Sequence, residues 1–168
     1  TCRNCHAEVV NLEGAPILSE GKRLFLKLGC HGCHLADGYS NERKVGPRLN
    51  RIAAKTDSSW LYRWIKDPKK YLPKTRMPNF GLNDKDAFGV TAYLLASSDK
   101  DYKLSKTFEF GDPDEGEKLF NTVGCLACHE LDGRGEVFGP DLSHIAEKVN
   151  PDWLFTWLSD PKSYNHKS

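Results

Sequence analysis

All six cysteines of the chain fall into three copies of one pattern: Cys2-Arg-Asn-Cys5-His6, Cys30-His-Gly-Cys33-His34 and Cys125-Leu-Ala-Cys128-His129. With six Cys and six His in 168 residues, chance predicts about 0.008 such matches. The spacing has a chemical reading. Two thiols three residues apart can add to the two vinyl groups of one haem. The histidine that follows then lies under the ring and can bind the iron through its imidazole.

Other cysteine chemistries fit less well. A disulfide framework needs paired cysteines but no histidine after each pair. A thioredoxin-like redox pair would occur once, beside a strand–helix unit. Zinc usually takes two Cys-x-x-Cys knuckles per ion, and three knuckles leave one over.

Composition narrows the class. The chain carries 24 Lys+Arg against 23 Asp+Glu, 39% hydrophobic and 28% charged residues. That balance fits one or two small folded domains and gives no broad electrostatic reason to bind nucleic acid. No run approaches the roughly 20 apolar residues a membrane-spanning helix needs. The charge is uneven, however. Residues 1–100 hold 17 Lys+Arg and 10 Asp+Glu, whereas residues 101–168 hold 7 and 13.

The chain also repeats itself. Glu20-Gly21-Lys-Arg-Leu24-Phe25, Gly29-Cys30 and Gly46-Pro47-Arg-Leu49 match Glu115-Gly116-Glu-Lys-Leu119-Phe120, Gly124-Cys125 and Gly139-Pro140-Asp-Leu142. Both copies continue through Ile-Ala, then Trp-Leu-aromatic-x-Trp (Trp60 to Trp64, Trp153 to Trp157), Asp-Pro-Lys and a tyrosine, Tyr71 or Tyr164. The offset is 95 at the cysteines and 93 from Gly-Pro onward, so the second copy lacks two residues of one loop. A period this long signals domain duplication rather than a solenoid.

Apolar spacing predicts three helices in the first copy. Ser19 is expected to cap one that carries Leu24, Phe25 and Leu28 and stops near Gly29. Ser58 or Ser59 is expected to cap a second, with Trp60, Leu61, Trp64 and Ile65, ended by Asp67-Pro68. Asn83 is expected to cap a third, with Phe88, Ala92, Tyr93 and Leu95 on its apolar side. No alternating strand pattern competes, and residues 35–50 and 66–82 read as ordered loops.

On these motifs residues 20–97 resemble a class I, mitochondrial-type cytochrome c domain, and 115–168 resemble most of a second. The resemblance implies an all-α fold in which a first helix carrying Gly21 and Phe25 crosses a last helix carrying Tyr93. The whole is then two tandem class I cytochrome c domains, the second incomplete at its C-terminal end, preceded by an extra haem-binding segment. The expected boundaries are 1–18 for that segment, a remnant of an upstream haem domain; 19–98 for the first domain; 99–113 for a linker; and 114–168 for the truncated second domain.

The same resemblance assigns the site. Three covalently bound haem c groups attach at Cys2 and Cys5, Cys30 and Cys33, and Cys125 and Cys128, with His6, His34 and His129 as iron ligands. Pro47, and Pro140 in the second copy, match the loop whose carbonyl orients the proximal histidine. Met77, the only methionine, lies in Thr75-Arg-Met77-Pro78 and matches the family's distal ligand. Trp60, Trp64 and Tyr71, with Trp153, Trp157 and Tyr164, are expected to wall the haems. The methionine corresponding to Met77 would fall two residues past Ser168, so a fragment of a longer multihaem protein is expected, with His166 an alternative ligand for the third haem. For the first haem the distal candidates are a residue upstream of Thr1, His31 or His144.

The function implied is single-electron transfer between redox proteins or subunits of a respiratory complex, in the periplasm or another extracytoplasmic space. A haem closed on both faces by protein ligands has no room for substrate, which suits a carrier rather than an enzyme. The alternative is a haem peroxidase-type oxidoreductase using an open first haem. The opposed charges of the two halves suggest docking, with a partner or between domains.

Overall fold

The computed structural model describes residues 11–39 and 45–164. The chain divides into two compact units, Thr1–Lys103 and Leu104–Ser168. Each is described by itself.

In the first unit, α1 (Pro16–Lys27) begins earlier than Ser19. Pro16 starts it with a φ suited to the first helical turn. Ser19 lies inside and buried; its hydroxyl donates to Ala15 O at 2.9 Å and accepts from Leu12 N at 2.8 Å. A cap-type side chain was thus used to fasten the preceding turn instead. One turn of helix, α2 (Cys30–Cys33), follows Gly29. After a loop come α3 (Ile52–Lys55), α4 (Ser58–Lys66), α5 (Pro68–Tyr71) and α6 (Asp84–Ala96).

Asp57, not Ser58 or Ser59, caps α4: its Oδ1 accepts from Trp60 N at 2.8 Å. Asp57→Ala is therefore expected to destabilise the first unit by about 1 kcal/mol, read as a lower thermal midpoint. Asn83 does cap α6, accepting from Asp86 N at 2.9 Å. The buried face of α6 is Ala87, Val90, Thr91, Tyr93 and Leu94 rather than the face carrying Phe88, which is 56% exposed. Phe88 instead stacks on Tyr62 of α4 with centroids 4.3 Å apart.

The core of this unit is built where α1 meets α6. Leu24, Phe25, Ile52, Leu61, Ile65, Val90 and Leu94 are buried together. Phe25 is fully buried, with Tyr93 and Tyr39 rings at 5.2 and 5.5 Å. The crossing is as tight as backbone allows. A Cβ on Gly21 would overlap the Gly89 carbonyl, and a Cβ on Gly89 would sit 3.3 Å from Gly21 N.

In the second unit, α7 (Pro113–Val123) is capped by Asp112, and Gly124 ends it at φ 85°. A 3-10 turn (Cys125–Ala127) leads to an antiparallel pair, β1 (Glu130–Leu131) and β2 (Arg134–Gly135). Its two-residue turn, Asp132-Gly133, has positive φ at both positions, the form that twisted hairpins favour. This strand pair was not expected, though its turn residues are the ones that signal it. Helices α8 (Ile145–Lys148), α9 (Pro151–Ser159) and α10 (Pro161–Tyr164) complete the unit. The segment before α7 lies along α9: Lys106 N donates to Thr156 Oγ1 at 3.2 Å, and Phe108 N to Asp152 Oδ1 at 2.8 Å.

Among the described residues the second unit has no counterpart of α6, and its apolar surfaces show it. Leu24 is 5% exposed and Leu119, its match, 61%; Ile65 is 4% exposed and Leu158 73%. No described helix is long and apolar enough to cross a membrane.

Candidate functional site

The second Cys-x-x-Cys-His is shaped by its neighbours. Gly29 adopts φ 69°, a left-handed turn that ends α1 and starts the helical turn holding Cys30 and Cys33. Both thiols are free; Cys30 is half-buried and Cys33 exposed. Burial pushes the Cys30 thiol up, so it rests protonated. His34 leaves the turn extended, with its backbone N–H bonded to Cys30 O at 2.9 Å.

The ring of His34 is held at Nδ1. Its Nδ1 lies 2.8 Å from Pro47 O. A carbonyl only accepts, so Nδ1 carries the proton and Nε2 keeps its lone pair for a metal. Burial lowers the histidine's pKa, partly offset by the Pro47 bond, and so favours the neutral ligand form. Gly46 lets the loop come this close: a Cβ there would stand 2.6 Å from His34 Cε1 and Nδ1.

The second copy repeats this geometry on a different loop. His129 Nδ1 is 2.7 Å from Pro140 O, and a Cβ on Gly139 would stand 2.6 Å from His129 Cε1 and Nδ1. The bonded pair is 13 residues apart in the first copy and 11 in the second. The hairpin β1–β2 lies within the shorter loop, and the histidine–proline bond is kept all the same.

Each unit also holds an aromatic group. Trp60 and Trp64 stack at 5.3 Å and 15°, with Tyr71 edge-on to Trp60 at 5.4 Å. Trp153 and Trp157 stack at 5.3 Å and 14°, with Tyr164 edge-on to Trp153 at 5.3 Å. The match follows from helical spacing, since residues four apart share a face.

Met77 sits in the loop between α5 and α6. Asn79 Nδ2 donates to Asp67 Oδ1 at 3.1 Å, and Met77 N to Thr75 Oγ1 at 3.2 Å, which fasten that loop. The Met77 sulfur accepts from Trp64 Nε1 at 2.9 Å. Sequence reasoning placed Trp64 in the wall and missed this bond. The two residues are 13 apart and meet only because α5 turns the chain back.

Several expected residues stand elsewhere. Cys2, Cys5, His6 and His166 lie outside the described residues. His31 stacks on Tyr39 with centroids 5.2 Å apart and lies 6.2 Å from Phe25, so its ring is engaged in the first unit's packing. His144 pairs with Glu147 at 3.2 Å on the surface.

The donor set fits haem c. Paired thiols, a neutral-favouring imidazole with Nε2 left for iron, a single thioether and flat aromatic surfaces are the groups such a cofactor requires.

Comparison with known proteins agrees. The cytochrome c family pattern matches residues 18–98 and 113–166. The chain belongs to the cytochrome c family. Its domains therefore carry covalent haem c with iron. A Cbb3-type cytochrome c oxidase subunit CcoP of Helicobacter pylori (strain ATCC 700392 / 26695) is 35% identical over 145 residues, 76% of this chain and 44% of the relative. The subunit of the same name from strain 52 is 31% identical over 151 residues, 79% of this chain and 45% of the relative. Cytochrome c2 of Afifella marina is 28% identical over 103 residues, 46% of this chain and 80% of the relative. The chain thus spans under half the length of the CcoP relatives. The peroxidase reading gains nothing from these matches.

Proposed function

We propose that this chain is a tri-haem electron relay, part of an extracytoplasmic subunit that delivers single electrons to a respiratory oxidase. The observation that carries the reading is the duplicated centre: two Cys-x-x-Cys-His turns, each with its histidine held by a proline carbonyl at 2.7–2.8 Å. When bound, haem iron supplies reversible one-electron chemistry. The residues do the rest. Cys30 with Cys33, and Cys125 with Cys128, would each fasten one haem, and Cys2 with Cys5 a third. His34 and Met77 would be the iron ligands of the second haem, which would then have no position for a substrate. Trp60, Tyr71 and Trp153 would help keep water from the cofactor, and the Pro47 and Pro140 carbonyls hold the proton on each Nδ1.

The division of labour follows the repeat. Residues 19–98 and 114–168 would each hold one haem, residues 99–113 join them, and residues 1–18 carry a third attachment motif. Covalent haem attachment and cysteine usage favour an oxidising, extracytoplasmic compartment. The similarity to the Helicobacter oxidase subunits supports a place in such a complex. The net basic charge of residues 1–100 and the net acidic charge of 101–168 suit steering of redox partners, which weakens with salt.

Intact mass of the denatured protein, with acid–acetone extraction, tests the cofactor count. The expected result is three haem masses retained on the chain. A chain that loses its pigment to the solvent sinks the reading. Carbon monoxide binding to a ferrous haem of the native, full-length protein at neutral pH would favour the peroxidase alternative instead.

A further inference from the structure

We propose that the joint of the chain is Lys103–Ser105. The residues on either side of it are straps fastened to the units they adjoin, so of the joining residues it is these that turn.

The first strap follows α6. Ser98 is buried, and its hydroxyl accepts from Ala53 N at 3.1 Å. Asp99 N donates to Asn50 O at 2.6 Å. Asp99 Oδ1 then accepts from Asp101 N at 3.1 Å and from Tyr102 N at 3.2 Å, which closes a turn around Lys100. Arg51 clamps that turn: its guanidinium lies 4.0 Å over the Tyr102 ring, and its Nε is 3.9 Å from Asp99 Oδ2.

The second strap lies on α9. The hydroxyl of fully buried Thr156 accepts from Lys106 N at 3.2 Å and donates to Lys106 O at 3.3 Å. A hydroxyl can do both at once. Two residues on, Phe108 N donates to Asp152 Oδ1 at 2.8 Å, and the Phe108 ring meets Phe155 edge-on at 6.3 Å. In the first unit the matching positions of α4, Ser59 and Arg63, are exposed. The strap thus covers a helix face that the other copy leaves bare.

Between the straps the backbone is not held. Among the described residues Lys103, Leu104 and Ser105 make no hydrogen bond, and Lys103 and Ser105 are exposed. Backbone of this kind opens at little cost and is where proteases cut. The division into units falls at the same place, after Lys103. Residues 109–111, also exposed, lie past the second strap and inside the second unit.

Both anchors belong to the candidate haem centres. Asn50 ends the stretch that brings Pro47 O to His34, and α9 carries Trp153 and Trp157. A joint placed beyond these anchors turns without disturbing either. In the relay proposed above, that lets a unit turn toward a partner with its centre intact; the joint itself depends on no cofactor.

Three lysines sample the three segments: Lys100 the first strap, Lys103 the joint and Lys106 the second strap. The test applies trypsin to the native, haem-loaded 168-residue chain and compares each cut with the same cut in a free peptide of residues 97–110. Relative to the peptide, cleavage after Lys103 is expected to be at least about tenfold faster than after Lys100 or Lys106, because cutting follows the population of open backbone. Thr156→Val should release the Lys106 site alone, and Asp99→Ala the Lys100 site alone. Hydrogen exchange needs no variant: the amides of Asp99, Tyr102, Lys106 and Phe108 should be protected, and those of Leu104 and Ser105 should exchange at free-chain rates. Equal relative rates at the three lysines, or protection at Leu104, overturn the proposal. Haem masses on the tryptic peptides report separately on the relay reading, so the two failures are distinct.

Discussion

A chain carrying Cys30→Ala and Cys33→Ala is expected to retain one haem fewer than the wild type and to have a less stable first unit. The loss is covalent and read directly: denatured mass falls by one haem, with the other attachments unchanged. The structural loss follows from what the haem would cover. The haem that Cys30 and Cys33 would hold brings its own apolar faces to the fold, and a group that binds only the folded state stabilises it. The thermal transition of the first unit should drop and broaden, while that of the second stays. Replacing His34 alone separates the roles. The thioethers then still hold the haem and mass is unchanged, but the ferric spectrum loses its imidazole ligand. An unaltered haem mass in the double cysteine variant would remove Cys30 and Cys33 from the site.

How much of this was legible in the sequence depended on distance along the chain. Cysteine and histidine must be contiguous to serve one ring, so the motif and its copies stand out in sequence. The Gly-Pro that meets each histidine was found through the repeat, because both copies keep it despite a loop two residues shorter. Helix starts were less legible. Thr56-Asp57-Ser58-Ser59 is a run of cap-forming residues, and only packing of Trp60 and Leu61 decides that Asp57 is the cap. Ser19 looked like a cap and is not one, since Pro16 already begins the helix and leaves the hydroxyl free to bind Leu12. On α6 the spacing of Phe88 suggested the buried side, yet the close approach of Gly21 and Gly89 turns that residue outward. The Trp64–Met77 bond was not legible at all, because it depends on how a loop folds back rather than on any periodicity.

The two glycines at matching helix positions should respond to alanine with opposite signs in the 168-residue chain. Gly21 and Gly116 occupy the same place in the repeat, each followed three and four residues later by Leu-Phe. Within a helix, alanine is favoured over glycine by about 1 kcal/mol. At Gly116 nothing lies within 4 Å of the added carbon, so Gly116→Ala keeps that gain and should raise the second unit's thermal midpoint by a few degrees. At Gly21 the same carbon overlaps the Gly89 carbonyl and stands 2.9 Å from Tyr93 Cβ. Neither can give way as a flexible side chain would. The two helices must part, and the cost spreads to Leu24, Phe25, Val90 and Leu94, which fill the seam. Overpacking of this kind costs about 1–3 kcal/mol and more where backbone is struck, so Gly21→Ala should lower the first unit's midpoint well beyond the propensity gain. Separate unfolding transitions for the two units would show both signs in one experiment. If Gly116→Ala proves as damaging as Gly21→Ala, α7 already has a helix pressed against it, and its open face in the structure is covered in solution.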